Sequence, residues 1–386
     1  MKWVEIPRPA RHYILYHTII SPMLIVWYML PVYLFMTGYT VLEVGIIYSV
    51  VHIASIPLTI VFGKLFEKIS LRKGLVLIDA LDGIAYALYG LAYGPIAPIT
   101  LFLGMLIEKF SFMLYPLYPA VEKILYPQDR LEEVFAWHMR LPMISEIIGY
   151  TVLGYLFGYV FNTPFYYRIG FLCFAASSVF TIIYLIKFLP PLNKEERIES
   201  TGLVFRIDRE FKHILLIEAL TTLAWGLAPS IVFLNYVINV LGKTLFEAML
   251  AEVSVSLAGL IATYITERAG KKYAKKLMVI GFALIALWAF IMLLQPPIII
   301  VIPAYFVMKL GDTLVFPYYR SWLFSKIPKD KAPTVFAALS SYDKVINLFT
   351  PLIASFLATI QPVLPYGASL ILFIIVALVI FRVYNK

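Results

Sequence analysis

The chain is short of charge, short of cysteine and short of histidine, and each shortage removes a class of protein. Only 14% of its 386 residues are charged, against 61% hydrophobic. A soluble domain carries about a quarter charged residues, so a water-exposed globule of this composition is excluded. One cysteine, Cys173, rules out a disulfide framework or a cysteine metal cluster. The five histidines are dispersed and no H-E-x-x-H occurs, which argues against a zinc hydrolase. Gly242-Lys-Thr244 lacks the upstream glycine of a phosphate-binding loop. No cofactor and no metal are expected.

What the chain has is long apolar runs. About 20 residues of helix cross the hydrocarbon core of a bilayer. Twelve spans are expected, near 13–37, 41–65, 74–94, 97–120, 136–160, 164–189, 213–237, 245–266, 277–294, 297–319, 333–359 and 363–383. Little chain remains for a soluble domain. The first apolar run is too long for a signal-peptide core.

The net charge of +9 raises the question of a nucleic-acid partner. The distribution of the charge answers it. If the N-terminus and the even-numbered loops share the cytoplasmic side, 27 of the 32 Lys and Arg fall on that side. The opposite side has only Lys243 and Arg168, and three lysines lie within spans. This is the positive-inside pattern of a multi-pass cell-membrane protein with both termini cytoplasmic. The basic loops set topology, and no nucleic acid is required.

The two halves of the chain repeat one another. Trp27, Pro31 and Phe35 share a W-x3-P-x3-F spacing with Trp225, Pro229 and Phe233. Thr40-Val-Leu-Glu43 and Thr244-Leu-Phe-Glu247 both read as capping boxes at helix starts. Glu67-Lys-Ile-Ser-Leu-Arg-Lys73 matches Glu267-Arg-Ala-Gly-Lys-Lys272. Tyr126-Pro-Gln-Asp-Arg matches Ile327-Pro-Lys-Asp-Lys, and Pro116 matches Pro317. The offsets run from 198 to 204 residues in one consistent order. Six spans separate matched elements, an even number, so the repeats are parallel. The expected division is an N-terminal six-helix half (1–189), a cytoplasmic linker (190–212) and a C-terminal six-helix half (213–386).

On these features the chain resembles the major facilitator superfamily over essentially its whole length. The family's G-x-L-a-D-r-x-G-r-k signature corresponds to Gly63-Lys-Leu65-Phe-Glu67-Lys68-Ile-Ser70-Leu-Arg72-Lys73, with Glu67 in place of the aspartate and Ser70 in place of the second glycine. A degenerate second copy keeps Glu267 and Arg268. The family's arginine-bearing signature in the fourth helix is not recognisable. The resemblance implies an all-α integral membrane fold: twelve transmembrane helices in two parallel six-helix repeats around a central cavity. It also implies a conformational latch at Gly63, Glu67, Arg72, Glu267 and Arg268. The bland reading of the same loop is a solvated basic segment.

Ionisable residues inside spans are expensive and mark pathways or partners. Glu108 and Lys109 lie in the fourth span, Lys309 and Asp312 in the tenth. The repeat superposes Glu108 on Lys309 and Ser111 on Asp312. Lys309 and Asp312 are three apart and share a helix face. Glu108 and Lys109 point about 100° apart, so both cannot face one cavity. The resemblance places Glu108, Lys309 and Asp312 in the central cavity with Trp27 and Trp225 nearby, as substrate-binding or proton-coupling residues. The tryptophans could instead be packed, and the charges could form a structural ion pair. Glu146 in the fifth span is a further proton site. Asp79 and Asp82 share a face of the third span, and structural pairing with Lys109, Arg72 or Lys73 is expected for them. Asp343 and Lys344 suit an intracellular gate or a binding role. His17 and His52 read as hydrogen-bonded core residues.

The function this supports is secondary active transport of a small organic solute by alternating access, coupled to protons or another ion. The working unit is a monomer in a lipid bilayer. Mixed-sign central charges suit zwitterionic or anionic solutes, while aromatic walls suit sugars or hydrophobic drugs. The alternatives are a membrane enzyme acting on a lipid or isoprenoid, and an uncoupled facilitator or sensor of the same fold. The enzyme would need a second acidic cluster beside the Asp79-x-x-Asp82 fragment, and none is present.

Overall fold

The computed structural model describes residues 3–66, 69–115, 117–192, 208, 211–269, 273–327 and 332–383. Of Gly63, Glu267 and Arg268 it describes only the helical backbone, and Glu67 lies outside the described residues. The described chain is helical throughout. Among the described residues, eleven helical segments are long and apolar enough to cross a membrane. A twelfth helix of 20 residues, Leu71–Gly90, carries Asp79 and Asp82 in its middle.

By internal packing the chain divides into two compact units, Met1–Thr37 with Val50–Ser200, and Gly38–Ser49 with Thr201–Lys386. In the first unit the helices are α1 (Arg8–Ile20), α2 (Val26–Met36), α3 (Val41–Phe66), α4 (Leu71–Gly90), α5 (Ala97–Met113), α6 (Leu117–Leu125), α7 (Leu131–Tyr155) and α8 (Pro164–Phe188). The opening turns of α3 group with the second unit. There α9 (Lys212–Gly226), α10 (Ser230–Asn235), α11 (Leu245–Ala269), α12 (Ala274–Leu293), α13 (Ile298–Lys326), α14 (Ala332–Ile360) and α15 (Leu364–Val383) follow.

The packing repeats as the sequence does. In the first unit α4 lies against α5 and α8, and α1 against α7. In the second, α12 lies against α13 and α15, and α9 against α14. These are the third-to-fourth, third-to-sixth and first-to-fifth span pairings in each half. Small residues permit the close crossings. A Cβ built at Gly281 would lie 2.6 Å from the Gly311 carbonyl oxygen, so α12 and α13 meet backbone to backbone. Between α4 and α8, a Cβ at Gly83 would approach the Ser178 Cβ to 2.9 Å.

The repeated capping boxes are formed. The Thr40 N–H donates to Glu43 Oε2 at 2.7 Å, and the Glu43 N–H donates back to Thr40 Oγ1 at 3.3 Å. At the second copy the Thr244 N–H donates to Glu247 Oε2 at 2.9 Å, and the Phe246 N–H to Thr244 Oγ1 at 3.2 Å. Two residues before each box the backbone turns through the left-handed region, at Gly38 (φ +97°) and Gly242 (φ +61°). Only glycine adopts that conformation without steric cost, which is why both copies begin G-x-T.

Three spans differ from expectation. The first breaks into a 3-10 turn at Ser21–Ile25, where Pro22 lacks an N–H to continue the ladder. Its Pro31, by contrast, sits inside α2. The fourth ends α5 at Met113 and restarts as α6 at Leu117 through i to i+3 bonds, Leu114 N–H to Ser111 O and Leu117 N–H to Leu114 O, both 2.9 Å. The seventh breaks between Gly226 and Ser230, where Pro229 is extended.

Candidate functional site

In the first unit the site is built on α5. Leu101, Gly104, Met105, Glu108 and Ser111 are its buried residues, spaced at helical intervals on one face. Gly104 lets α4 come close: a Cβ there would lie 2.6 Å from Tyr89 Cε1. The Tyr89 ring thus lies across α5, and its hydroxyl donates to Glu108 Oε2 at 3.0 Å. From α2, Trp27 Nε1 donates to Glu108 Oε1 at 3.1 Å. The Trp27 ring stands edge-on to Phe112, centroids 5.7 Å apart, and is itself one-third exposed, at 36%. Glu108 is therefore a buried carboxylate, 8% exposed, clamped by two neutral donors. Lys109 turns away, its ammonium 5.0 Å from the centre of the Phe112 ring.

Deeper in the same unit, Tyr16 donates to Asp79 Oδ1 at 2.7 Å. The expected pairing of Asp79 and Asp82 with Lys109, Arg72 or Lys73 does not occur. Arg72 donates instead to the Leu189 carbonyl at 3.0 Å, tying the start of α4 to the end of α8, and Lys73 is exposed. The physical reason is register: Arg72 and Lys73 sit in the first turn of α4, about two turns from Asp79, and reach the helix end rather than its middle.

His17 is not solitary. Its ring lies 4.7 Å from that of His138 and 5.0 Å from that of Tyr118. His138 Nδ1 faces the Tyr126 hydroxyl and lies 3.6 Å from Glu122 Oε1. His12 bonds Tyr184 at 3.0 Å. Sequence reading missed this cluster because His17 and His12 are more than a hundred residues from the groups they meet. Arg130, in the turn before α7, grips Glu133 at 2.9 Å and Glu5 at 3.3 Å, and these carboxylates raise its pKa. Glu146 is half-buried midway along α7.

In the second unit the charges answer one another. Lys309 Nζ donates to Asp312 Oδ2 at 2.9 Å, one turn along α13, with about a third of each side chain exposed. Nearer the end of α13, Tyr319 donates to Glu218 of α9 at 2.6 Å. Thr222 of α9 donates to Asp343 of α14 at 2.7 Å, and Lys344 points outward. Trp225 packs among rings, 5.9 Å from Trp288 and 5.1 Å from Phe373. It shares the repeat position of Trp27 and not its hydrogen bond to a carboxylate. The tyrosines that organise these sites, Tyr16, Tyr89 and Tyr319, carry no sequence signal beyond the abundance of tyrosine, 27 residues in all.

Comparison with known proteins follows the same lines. No curated protein matches the chain. Among solved structures, a bacterial homologue of the iron transporter ferroportin in an inward-facing state superposes with a TM-score of 0.76 at 14% identity, covering 98% of this chain and 99% of the other. A bacterial metal transporter gives 0.73 at 15% identity, over 99% of each chain. A D-xylose–proton symporter gives 0.69 at 14% identity, over 96% and 97%. At such identities the likeness is one of fold. The family model described as Major Facilitator Superfamily matches residues 23–342. With that match, the twelve-span helical fold and the two repeats, the chain is a multi-pass membrane transporter that belongs to the Major Facilitator Superfamily.

Proposed function

We propose that the protein is a secondary transporter of a small organic solute, working by alternating access and coupled to proton movement. One observation carries this reading. The repeat-related fourth and tenth spans both hold ionisable residues at mid-depth, Glu108 clamped by Trp27 and Tyr89, and Lys309 paired with Asp312. Charges at that depth cost about 2.5–3.5 kcal/mol on insertion scales, a cost that structure alone does not require. Glu108 accepts hydrogen bonds from neutral donors, so it can take up a proton without breaking a direct salt bridge. The Lys309–Asp312 pair offers one group of each sign to a zwitterionic solute. Glu146 is a second proton site in this reading, Lys109 supports the field around Glu108, and Trp225 shapes the wall from behind. Gly63, Glu67 and Arg72, between the body of α3 and the start of α4 in the chain, with Glu267 and Arg268 at the end of α11, serve as the conformational latch. Both termini are cytoplasmic in the cell membrane, so a cysteine placed at 243 reacts with reagents added outside. Reaction only from the cytoplasmic side would overturn that topology.

The test is counterflow. Proteoliposomes loaded with members of a panel of amino acids, dipeptides, nucleosides and pentoses are assayed for exchange with labelled solute outside. Exchange of at least one solute, lost in Lys309→Ala, supports the reading. No exchange across the panel, or wild-type exchange in Lys309→Ala, counts against it.

A further inference from the structure

A small cavity inside the first unit lies apart from Glu108. It has a volume of about 40 Å³ and lies between α1, α4, α6 and α8. A cavity needs roughly 10–15 Å³ to hold one water, so this one takes an ion and a water or two. Its polar lining residues are Asp79, Asp82, Ser178 and Thr181 with three tyrosines, Tyr86, Tyr115 and Tyr118. No lysine, arginine or histidine lines it.

The carboxylates are not satisfied within the protein. Asp79 is 5% exposed, and while Oδ1 accepts from Tyr16, Oδ2 is buried with no hydrogen-bond partner. Asp82 Oδ1 is likewise buried and unpartnered. Ser111 Oγ, wholly buried on α5 and near Asp82, also has no partner in hydrogen-bond geometry. Unpaired carboxylates in such a place cost several kcal/mol unless something neutralises them.

The hydroxyls say what that something is. Ser178 Oγ donates its hydrogen to the Phe174 carbonyl at 3.2 Å, and Thr181 Oγ1 donates to the Ser178 carbonyl at 3.0 Å. Thr181 also lies within hydrogen-bonding reach of Asp79, and a hydroxyl that donates elsewhere still has lone pairs to offer the cavity. The wall thus combines two buried carboxylates that keep unpartnered oxygens with neutral hydroxyls and no basic side chain. That is the signature of a site for a hard cation, which takes oxygen ligands at about 2.3–2.6 Å in flexible geometry. Among the described residues no three His, Cys, Asp or Glu side chains group so as to hold a metal ion, so only two charged ligands are available here and the remaining ligands would be neutral oxygens.

We propose that this cavity binds a hard, oxygen-ligated cation of sodium or calcium size, with Asp79 and Asp82 as charged ligands and Ser178 and Thr181 as neutral ones. The site would tie α4 to α8, which cross closely at Gly83 and Ser178. The proposal does not depend on which solute the protein carries, and its test needs no transport.

Purified full-length protein in detergent is titrated with sodium chloride, calcium chloride or choline chloride at matched ionic strength, reading the melting temperature. Equilibrium binding of labelled sodium or calcium is measured in parallel. The expected result is a rise in melting temperature with one of the two metal cations and not with choline. Saturable binding of the same ion should accompany it. The sodium and calcium arms identify the ion. Affinity should fall at least tenfold in Asp82→Asn and severalfold in Thr181→Val, which keeps both carboxylates and the shape of the side chain should Asp82→Asn fail to fold. Stabilisation by lowered pH alone, with no saturable binding of either ion, would overturn the proposal in favour of protons. Unchanged affinity in Thr181→Val and Asp82→Asn would overturn it equally.

Discussion

The two halves share a fold and differ in what they do with charge. In the first, Asp79 and Glu108 accept hydrogen bonds from neutral tyrosine and tryptophan donors. In the second, Glu218 and Asp343 are likewise held by neutral donors, Tyr319 and Thr222, but Lys309 and Asp312 add an ion pair within one helix. Trp27 and Trp225 make the same point at one repeat position: the first donates to a carboxylate, and the second packs among rings. Duplication has preserved the helix pairings and the capping boxes, and has released the polar positions. A half whose acids are clamped by neutral donors suits the binding of protons or cations. A half with a self-contained ion pair suits a solute bearing both signs.

Substitutions can break this contrast, beginning with the largest effect. Gly281→Ala should destabilise the second half by about 3 kcal/mol, the upper end for overpacking, because its Cβ meets the Gly311 backbone carbonyl, which cannot swing aside. Denaturant midpoints in mixed micelles read it. The matching Gly104→Ala in the first half meets the Tyr89 ring, which can move, so its main effect should be on the Glu108 clamp. Tyr89→Phe removes one hydrogen bond to a buried carboxylate and should cost about 2 kcal/mol. It should also change the fluorescence of Trp27, the remaining donor to Glu108. Thr244→Ala removes one capping box and should cost about 1 kcal/mol. Glu67→Ala should leave stability unchanged and shift the populations of open and closed conformers in spin-label distance distributions. Unchanged distributions would remove Glu67 from the latch.

Much of the fold was legible because the bilayer imposes it: a span needs its apolar length, and loop charge reports its side. The repeat was legible because capping and turn residues are local, as at Gly38-x-Thr40 and Gly242-x-Thr244. Helix breaks were harder. Pro31 sits inside a helix while Pro229 marks an interruption, since neighbouring Gly226 and the packing around it decide whether the freed groups are satisfied. The carboxylates themselves stood out by their cost. Their partners did not, because Tyr16, Tyr89, Ser178 and Thr181 look like ordinary core residues until the packing of α4 on its neighbours brings them to Glu108 and Asp79. The assignment of Asp79 and Asp82 to nearby lysines and arginines failed on this ground, since proximity in sequence is not proximity across a helix bundle.

Solute-driven proton movement is the most direct measurement. Proteoliposomes containing a trapped pH-sensitive dye are given solutes from the counterflow panel, for the wild type and for Glu108→Gln and Asp312→Asn. The account predicts that a solute exchanged in counterflow acidifies or alkalinises the wild-type lumen. Glu108→Gln should abolish the pH change while solute exchange persists, and Asp312→Asn should impair exchange itself. Solute accumulation with no proton movement in the wild type, or wild-type proton movement in both variants, would contradict it.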